Sequence, residues 1–193
     1  MKRTGLELKQ FFVEITTTVA AFLVRLSRES ERSAVILGVA RVDRALERAL
    51  KALLNAPTGA SDSLFDQDRP LATFSAKIVT AHRLGLIDDD TESVLQALRK
   101  IRNGFAHSIE DESLSLGSHG DRLRHIVSVM GGTHMWQQFA GNFMDDIPSN
   151  DLRNFAKVLA VLIAGLESTA WANERVTPEM NTAFLFQMDS AGS

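Results

Sequence analysis

Apolar residues recur every three or four positions through nearly all of the long segments between the four prolines of this chain. The clearest segment spans residues 31–54, where arginine, lysine and glutamate lie opposite the apolar side. That apolar side consists of Val35, Val39, Val42, Leu46, Leu50 and Leu53. A repeat of about 3.6 residues is typical of an amphipathic α-helix. Because no strand-like alternation of useful length competes with it, the sequence predicts an all-α bundle of five or more helices.

The other helices follow from the same periodicity and from start and stop signals. They are predicted at roughly residues 6–28, 70–84, 89–105, 121–130 and 150–171. Pro70 suits the first turn of a helix, and Gly85 suits the position just past the end of one. Ser149 or Asn150 is expected to cap the last helix, because short polar side chains satisfy free amide groups there. That helix is apolar nearly all round, which predicts that it is the most buried.

The length of 193 residues and the hydrophobic fraction of 45% suffice for one domain with a sizeable core. We expect this single helical domain to cover residues 1–172. Residues 173–193 are expected to form a tail that packs on the bundle or on a partner protomer. A short alternation at residues 184–186 is the one place in the tail that suits a strand.

Charge and cysteine content narrow the function classes. The chain has 21 Lys and Arg against 24 Asp and Glu, so it lacks the basic character of a stand-alone duplex DNA binder. Cysteine is absent, which excludes disulfides and thiolate metal sites and agrees with a reducing cytosol.

The start Met1-Lys2-Arg3 is charged like a signal peptide, but Glu14 interrupts the apolar stretch that follows. The apolar run at residues 158–166 is far shorter than the ~20 residues that span a bilayer. We expect a cytoplasmic protein.

Three other patterns suggest sites but are better explained structurally. His119, His125 and His134 have no helical i, i+4 spacing and no carboxylate pattern, so we expect surface or loop histidines and no bound metal or cofactor. The acidic residues 88–90 lack the glycine and distal glutamate of a calcium loop and suit a helix start. The helix pair around Gly85 looks superficially like helix-turn-helix, yet its second helix opens with these acids, which phosphates would repel. We expect no direct binding to duplex DNA.

Three blocks between residues 68 and 107 occur in a specific order and spacing. They read Arg69-Pro70-Leu71-Ala72-Thr73-Phe74-Ser75-Ala76-Lys77-Ile78, then Leu84-Gly85-Leu86-Ile87, then Ile101-Arg102-Asn103-Gly104-Phe105-Ala106-His107. In this arrangement they resemble the mannitol operon repressor-like family of small bacterial helical proteins. The resemblance implies a regulatory protein of sugar-alcohol uptake, or a paralogue with an unknown target, without a DNA-binding motif. We expect such a protein to act through a protein partner and to form a homo-oligomer.

The third block also resembles the Arg-(four to six residues)-His signature of HEPN domains, which are helical nucleotide-binding and ribonuclease modules that commonly form dimers. Arg102 is permanently cationic and suited to phosphate, and His107 can exchange a proton near neutral pH. The resemblance implies a metal-independent ribonuclease in which His107 is the general acid or base, Arg102 stabilises phosphate charge, and Asn103 orients His107 or a phosphate oxygen. RNA would be the partner under this alternative.

The geometry of a helix limits that alternative. Residues five apart on a continuous helix differ by about 140° in direction, so Arg102 and His107 would not share a face. Either Gly104 loosens the last turn, or two protomers bring their motifs together. Arginine and histidine also stabilise the last turn of a helix by about 0.3–1 kcal/mol each through the helix dipole. We therefore expect a structural or dimer-interface role for the motif rather than catalysis.

Overall fold

The computed structural model describes residues 5–108, 112–138, 147 and 149–173, and these residues form seven α-helices and no strand. The helices are α1 (Gly5–Leu26), α2 (Glu31–Leu53), α3 (Phe74–Arg83), α4 (Asp89–His107), α5 (Gly117–Met130), α6 (His134–Gln138) and α7 (Asn150–Asn173). The prediction of an all-α bundle is confirmed. Apart from Asn173, the tail predicted at residues 173–193 lies outside the described residues, as does its possible strand at 184–186.

Helix α7 runs through the centre of the bundle. Twelve of its residues are buried, and α2 packs along it more extensively than any other pair of described helices pack together. Phe155 and Leu159 of α7 and Leu46 and Leu50 of α2 are all fully buried members of one hydrophobic core. The all-round apolar pattern of α7 therefore predicted its central place correctly.

Length and composition alone would let α7 cross a membrane, and it is the one helix in the described part of the chain of which this is true. Most of it is instead covered by protein, with 61% of its apolar window buried inside the bundle. The core helix of a soluble protein has the same properties, so this finding is compatible with a soluble protein.

Helix α1 packs on α7 and, to a smaller extent, on α2. Its buried residues are Ile15, Val19, Leu23 and Leu26. The Phe11 ring stacks on Trp171 of α7, with 4.9 Å between the ring centroids. Helix α1 is thus attached by one face only.

Helices α3 and α4 form a hairpin whose start differs from the prediction. Helix α3 begins at Phe74 rather than at Pro70, because the Thr73 side chain accepts a hydrogen bond from the Ala76 amide at 3.2 Å and caps the helix there. The predicted end is confirmed. Gly85 has a φ of +68°, and the Leu86 amide donates to the Ala81 carbonyl at 2.9 Å, which is the Schellman arrangement.

The remaining boundaries depend on local caps. The Asp88 side chain accepts from the Thr91 amide at 2.8 Å, so the acidic run starts α4 as predicted. Ser149 accepts from the Leu152 amide at 3.0 Å, which makes Ser149, rather than Asn150, the cap of α7. Helix α5 begins at Gly117, four residues before the predicted start, and the short α6 is not predicted by the sequence pattern at all.

Candidate functional site at the end of helix α4

The Arg102–His107 motif lies on the last turns of α4, which stays helical through His107. The Ser108 amide still donates to the Gly104 carbonyl at 3.0 Å, so Gly104 does not loosen the final turn. Arg102 and His107 are both exposed. Being five residues apart on a continuous helix, they face directions about 140° apart. Within one protomer the structure therefore does not bring these two side chains to a common cleft.

Arg102 and Asn103 are neighbours in a polar group at the junction of α2, α3 and α4. The Arg102 guanidinium donates to the Asn103 side-chain oxygen at 3.2 Å. Burial raises the pKa of Asp43 in α2, although a Lys77 hydrogen bond and the charges of Lys77 and Arg102 oppose that rise. The positive charge of Arg102 thus favours the ionised form of Asp43, as Lys77 does, against the effect of burial.

The centre of this polar group is Lys77, which sequence reasoning did not single out. Its ammonium is buried and lies 2.7 Å from Asp43 Oδ1 and 2.9 Å from Glu47 Oε2. Glu47 also pairs with Lys51 at 2.8 Å along α2. Burial alone would raise the pKa of Glu47, but hydrogen bonds from Lys51 and Lys77 hold it below its usual range. By pairing with two carboxylates of α2, this buried lysine attaches α3 to α2.

Gly104 and Phe105 contact a buried histidine. A Cβ on Gly104 would lie 2.2 Å from Cε1 of the His119 ring, and the Phe105 ring centroid is 5.1 Å from that of His119. His119 Nε2 lies 3.0 Å from a Glu112 carboxylate oxygen. The prediction of a surface histidine is therefore wrong for His119, because the first turn of α5 packs directly against the end of α4.

For the two other histidines the surface prediction is confirmed. His125 and His134 are exposed, and His125 Nε2 lies 3.1 Å from the Ser93 hydroxyl. In the part of the chain that the structure describes, no group of three or more His, Asp or Glu side chains is placed to hold a metal ion.

The segment after α4 is tied to the first turn of α2. Both terminal nitrogens of Arg32 donate to the Ser108 carbonyl at 3.0 Å, which satisfies a carbonyl at the helix end. The Glu31 carboxylate accepts from the Leu114 amide. Together with the His119 contact, these bonds fix the orientation of the motif while leaving its polar side chains facing solvent.

A separate cleft of about 840 Å³ lies between α1, α2 and α7. Glu167 of α7 is buried in its wall and accepts from Arg41 at 3.0 Å and from Arg48 at 3.2 Å. Since the carboxylate is shared by two guanidinium groups, the cluster compensates a buried charge where α7 crosses α2. We assign it a structural role.

Helix α1 has a second apolar side, which faces solvent. The exposed large apolar residues on this side are Leu6, Val13 and Val24, whereas Leu8 and Phe12, which are also exposed, lie on the side of the buried residues near the start of the helix. Isolated exposed apolar residues are ordinary, but a run of them along one helix marks a contact surface.

Comparison of the chain with models of protein families, with curated proteins and with solved structures finds no match. What the protein does must therefore be inferred from its own residues. Two features bear on it, namely the polar side chains at the end of α4 and the apolar outer side of α1.

Proposed function

We propose that this is a cytoplasmic regulatory protein that acts by binding other proteins, in the manner that the resemblance to the mannitol operon repressor-like family implies. The observation that carries the proposal is the exposed apolar side of α1, where Leu6 and Val13 are 68% and 65% exposed. Burial of such residues drives most protein–protein association.

The α3–α4 hairpin supports protein contacts over DNA contacts. Its second helix starts at Asp89, preceded by the Asp88 cap and followed by Asp90 and Glu92. Four carboxylates at the entry of the would-be recognition helix repel a phosphate backbone, whereas recognition helices use this end to approach base edges.

The three blocks that carry the resemblance belong to one structural unit. They form the turn that leads into α3 together with the first half of α3, the turn between α3 and α4, and the end of α4. Lys77 from the first block and Arg102 from the third both act on Asp43 of α2. This arrangement supports the interpretation that the three blocks form one structural unit, which is fixed to α2.

The proposal is tested in the host organism by deleting the gene and measuring transcripts of the sugar-alcohol uptake genes with and without the sugar alcohol. We expect deletion to change those transcripts severalfold and a plasmid copy to restore them. Val13→Glu should fail to restore them, because it places a charge on the apolar side of α1. Val79→Glu, on an exposed position of α3, is the matched control that should restore them. Transcript levels that are unchanged by the deletion would contradict a role in this uptake system.

A metal-independent ribonuclease is the second candidate, and one observation favours it. Arg102, Asn103 and His107 all reach solvent at the same end of α4. Because Arg102 and His107 diverge on one helix, a working site would combine Arg102 of one protomer with His107 of another. His107 would then transfer a proton and Arg102 would stabilise phosphate charge.

An RNA cleavage assay in the presence of EDTA separates the two candidates. If the ribonuclease candidate holds, wild type cleaves RNA, and Arg102→Ala and His107→Ala both abolish cleavage. Both residues are exposed, so His107→Ala should alter the free energy of unfolding by no more than about 0.5 kcal/mol, and Arg102→Ala, which also removes a charge that acts on Asp43, by no more than about 1 kcal/mol. Lys100→Ala, an exposed position on the same helix, is the control that keeps cleavage. A wild type that leaves RNA intact eliminates the ribonuclease.

A further inference from the structure

A pocket of about 340 Å³ lies where the start of α4, the end of α5, the short α6 and the C-terminal half of α7 meet. Its lining in the described chain includes neither α1 nor the Arg102–His107 motif. The volume falls within the range of about 300–1,000 Å³ that is usual for small-molecule sites. The pocket is therefore large enough for an organic ligand, and the proposed function makes no use of it.

Most of the pocket wall is apolar. Val94 of α4, Met130 of α5 and Leu162 of α7 belong to the buried core and also line the pocket. Met135 of α6 joins Met130 in the wall, and methionine side chains are flexible and polarisable enough to fit ligands of different shape. At Gly165 the wall is open, because a Cβ added there would meet nothing within 4 Å. The interior thus suits an apolar group that gains free energy by leaving water.

The charged side chains that line the pocket are two exposed carboxylates in the first turn of α4. Asp88 accepts from the Thr91 amide at 2.8 Å, and hydrogen bonds with Thr91 hold its pKa below the usual value, so it is ionised at neutral pH. The Asp90 carboxylate forms no hydrogen bond or ion pair with another residue of the described chain. No lysine, arginine or histidine in the described ranges lines the pocket. The helix N-terminus adds only about half a positive charge, so the mouth of the pocket is negative.

We propose that this pocket binds a small organic cation, namely an ammonium group carried on an apolar body. The body would lie against Val94, Met130 and Leu162, and the ammonium group would lie at the mouth beside Asp88 and Asp90. Charge complementarity selects this class of ligand, because the same two acids repel a carboxylate or a phosphate. The site is separate from the protein contacts of the proposed function and can stand without them.

Solvent exposure of the two acids sets the expected selectivity. Ion pairs at an exposed site contribute little, because water screens them. An ammonium group should therefore bind about threefold to tenfold more tightly than a neutral group on the same apolar body. For a ligand of about eleven non-hydrogen atoms we expect a dissociation constant of roughly 0.1–1 mM.

Three compounds with the same apolar body separate the effect of charge from that of apolar contact. At neutral pH phenylbutylamine is a cation, phenylbutanol is neutral and phenylbutyrate is an anion. Each is titrated into the full chain and followed by isothermal calorimetry. The amine should bind most tightly, the alcohol about threefold to tenfold more weakly, and the carboxylate more weakly still.

Substitutions at the mouth and in the wall locate the bound amine. Asp90→Asn should weaken amine binding by about threefold to tenfold and leave alcohol binding unchanged. Asp89→Asn removes the same charge from a side chain that does not line the pocket, so it is the matched control and should retain amine binding within about twofold. Gly165→Leu should fill the pocket and abolish binding of both the amine and the alcohol, with circular dichroism as the check that this variant is folded. The comparison of Asp90→Asn with Asp89→Asn decides the question even if Gly165→Leu does not fold.

Four outcomes overturn the inference. An alcohol or a carboxylate that binds as tightly as the amine shows that the pocket does not select a cation. Amine binding that persists in folded Gly165→Leu, or that is equal in Asp90→Asn and Asp89→Asn, shows that the amine binds elsewhere. A wild type that binds none of the three compounds at millimolar concentration excludes the site. If Gly165→Leu then also fails to restore transcripts in the deletion strain, a protein segment occupies the pocket instead of an organic cation.

Discussion

Helix α2 leaves no room for a side chain at Gly38, where it faces α7, which makes this glycine a sharp test of how the two helices pack. A Cβ added there would lie 2.4 Å from Cδ1 of Leu159 and 3.3 Å from Cε1 of Phe155. Both neighbours are fully buried and cannot move into solvent. Gly38→Ala should therefore force the central helix pair apart or push Leu159 out of its rotamer.

The magnitude follows from two opposing terms. Replacing glycine by alanine inside a helix stabilises it by about 1 kcal/mol. Overpacking a well-filled core by one methyl group costs about 1–3 kcal/mol. Gly38→Ala should thus change the free energy of unfolding by about 0 to −2 kcal/mol. Gly165 of α7 is the matched control, since its added Cβ would meet nothing within 4 Å. Gly165→Ala should stabilise the protein by about 1 kcal/mol.

Comparing the two variants removes the helix-propensity term and leaves the packing penalty. Thermal unfolding followed by far-UV circular dichroism should give Gly38→Ala a lower Tm than Gly165→Ala. At about 2–4 °C per kcal/mol for a chain of this size, the difference should be roughly 2–12 °C. Equal increases in Tm for both variants would refute the close packing of α2 on α7 at Gly38.

Three further predictions address other parts of the structure. Gly104→Ala should lower Tm by several degrees because its methyl group displaces the buried His119 ring, and an unchanged melting curve would contradict that contact. Hydrogen bonds from Thr91 hold the pKa of Asp88 below its usual 3.8, so its stabilising effect is complete above that pH and is lost as the pH falls through the lower folded-state value. The stability of Asp88→Asn should consequently decline less than that of wild type in acid titrations of unfolding. Purified protein should show no sequence-dependent shift of duplex DNA in a gel at physiological salt, and nanomolar binding would overturn the acidic-hairpin argument.

Periodicity predicted the bundle because the buried side of a long amphipathic helix appears in the sequence as apolar residues every three or four positions. The stripe Val35, Val39 and Val42 of α2 is buried as expected, and so is α7. Helix starts were harder to predict because two local signals competed. Pro70 and Thr73 both suit the beginning of a helix, and only the Thr73 hydroxyl reaches a free amide. Helix α6 has five residues, too few to show a period.

The polar groups of the candidate site could not be predicted in the same way. His119 is buried by the packing of α5 on α4, a contact between two successive helices that the periodicity of neither helix predicts. Lys77 stands beside the apolar stripe of α3, and its partners Asp43 and Glu47 are four residues apart on α2. That i, i+4 spacing of two acids was a visible signal, but only the fold shows which cation they surround.

The Arg102–His107 motif separates into two sets of residues with different physical roles. Gly104 is needed for the close approach of His119, and Phe105 fills the core, so these two positions are explained by packing alone. Arg102, Asn103 and His107 are accessible from solvent. They project in different directions from the helix and do not converge on one cleft. A resemblance that spans both sets is therefore compatible with a shared helix-end architecture as well as with shared chemistry. Only the accessible set distinguishes these explanations, which is why alanine substitutions at Arg102 and His107 test function with little effect on the fold.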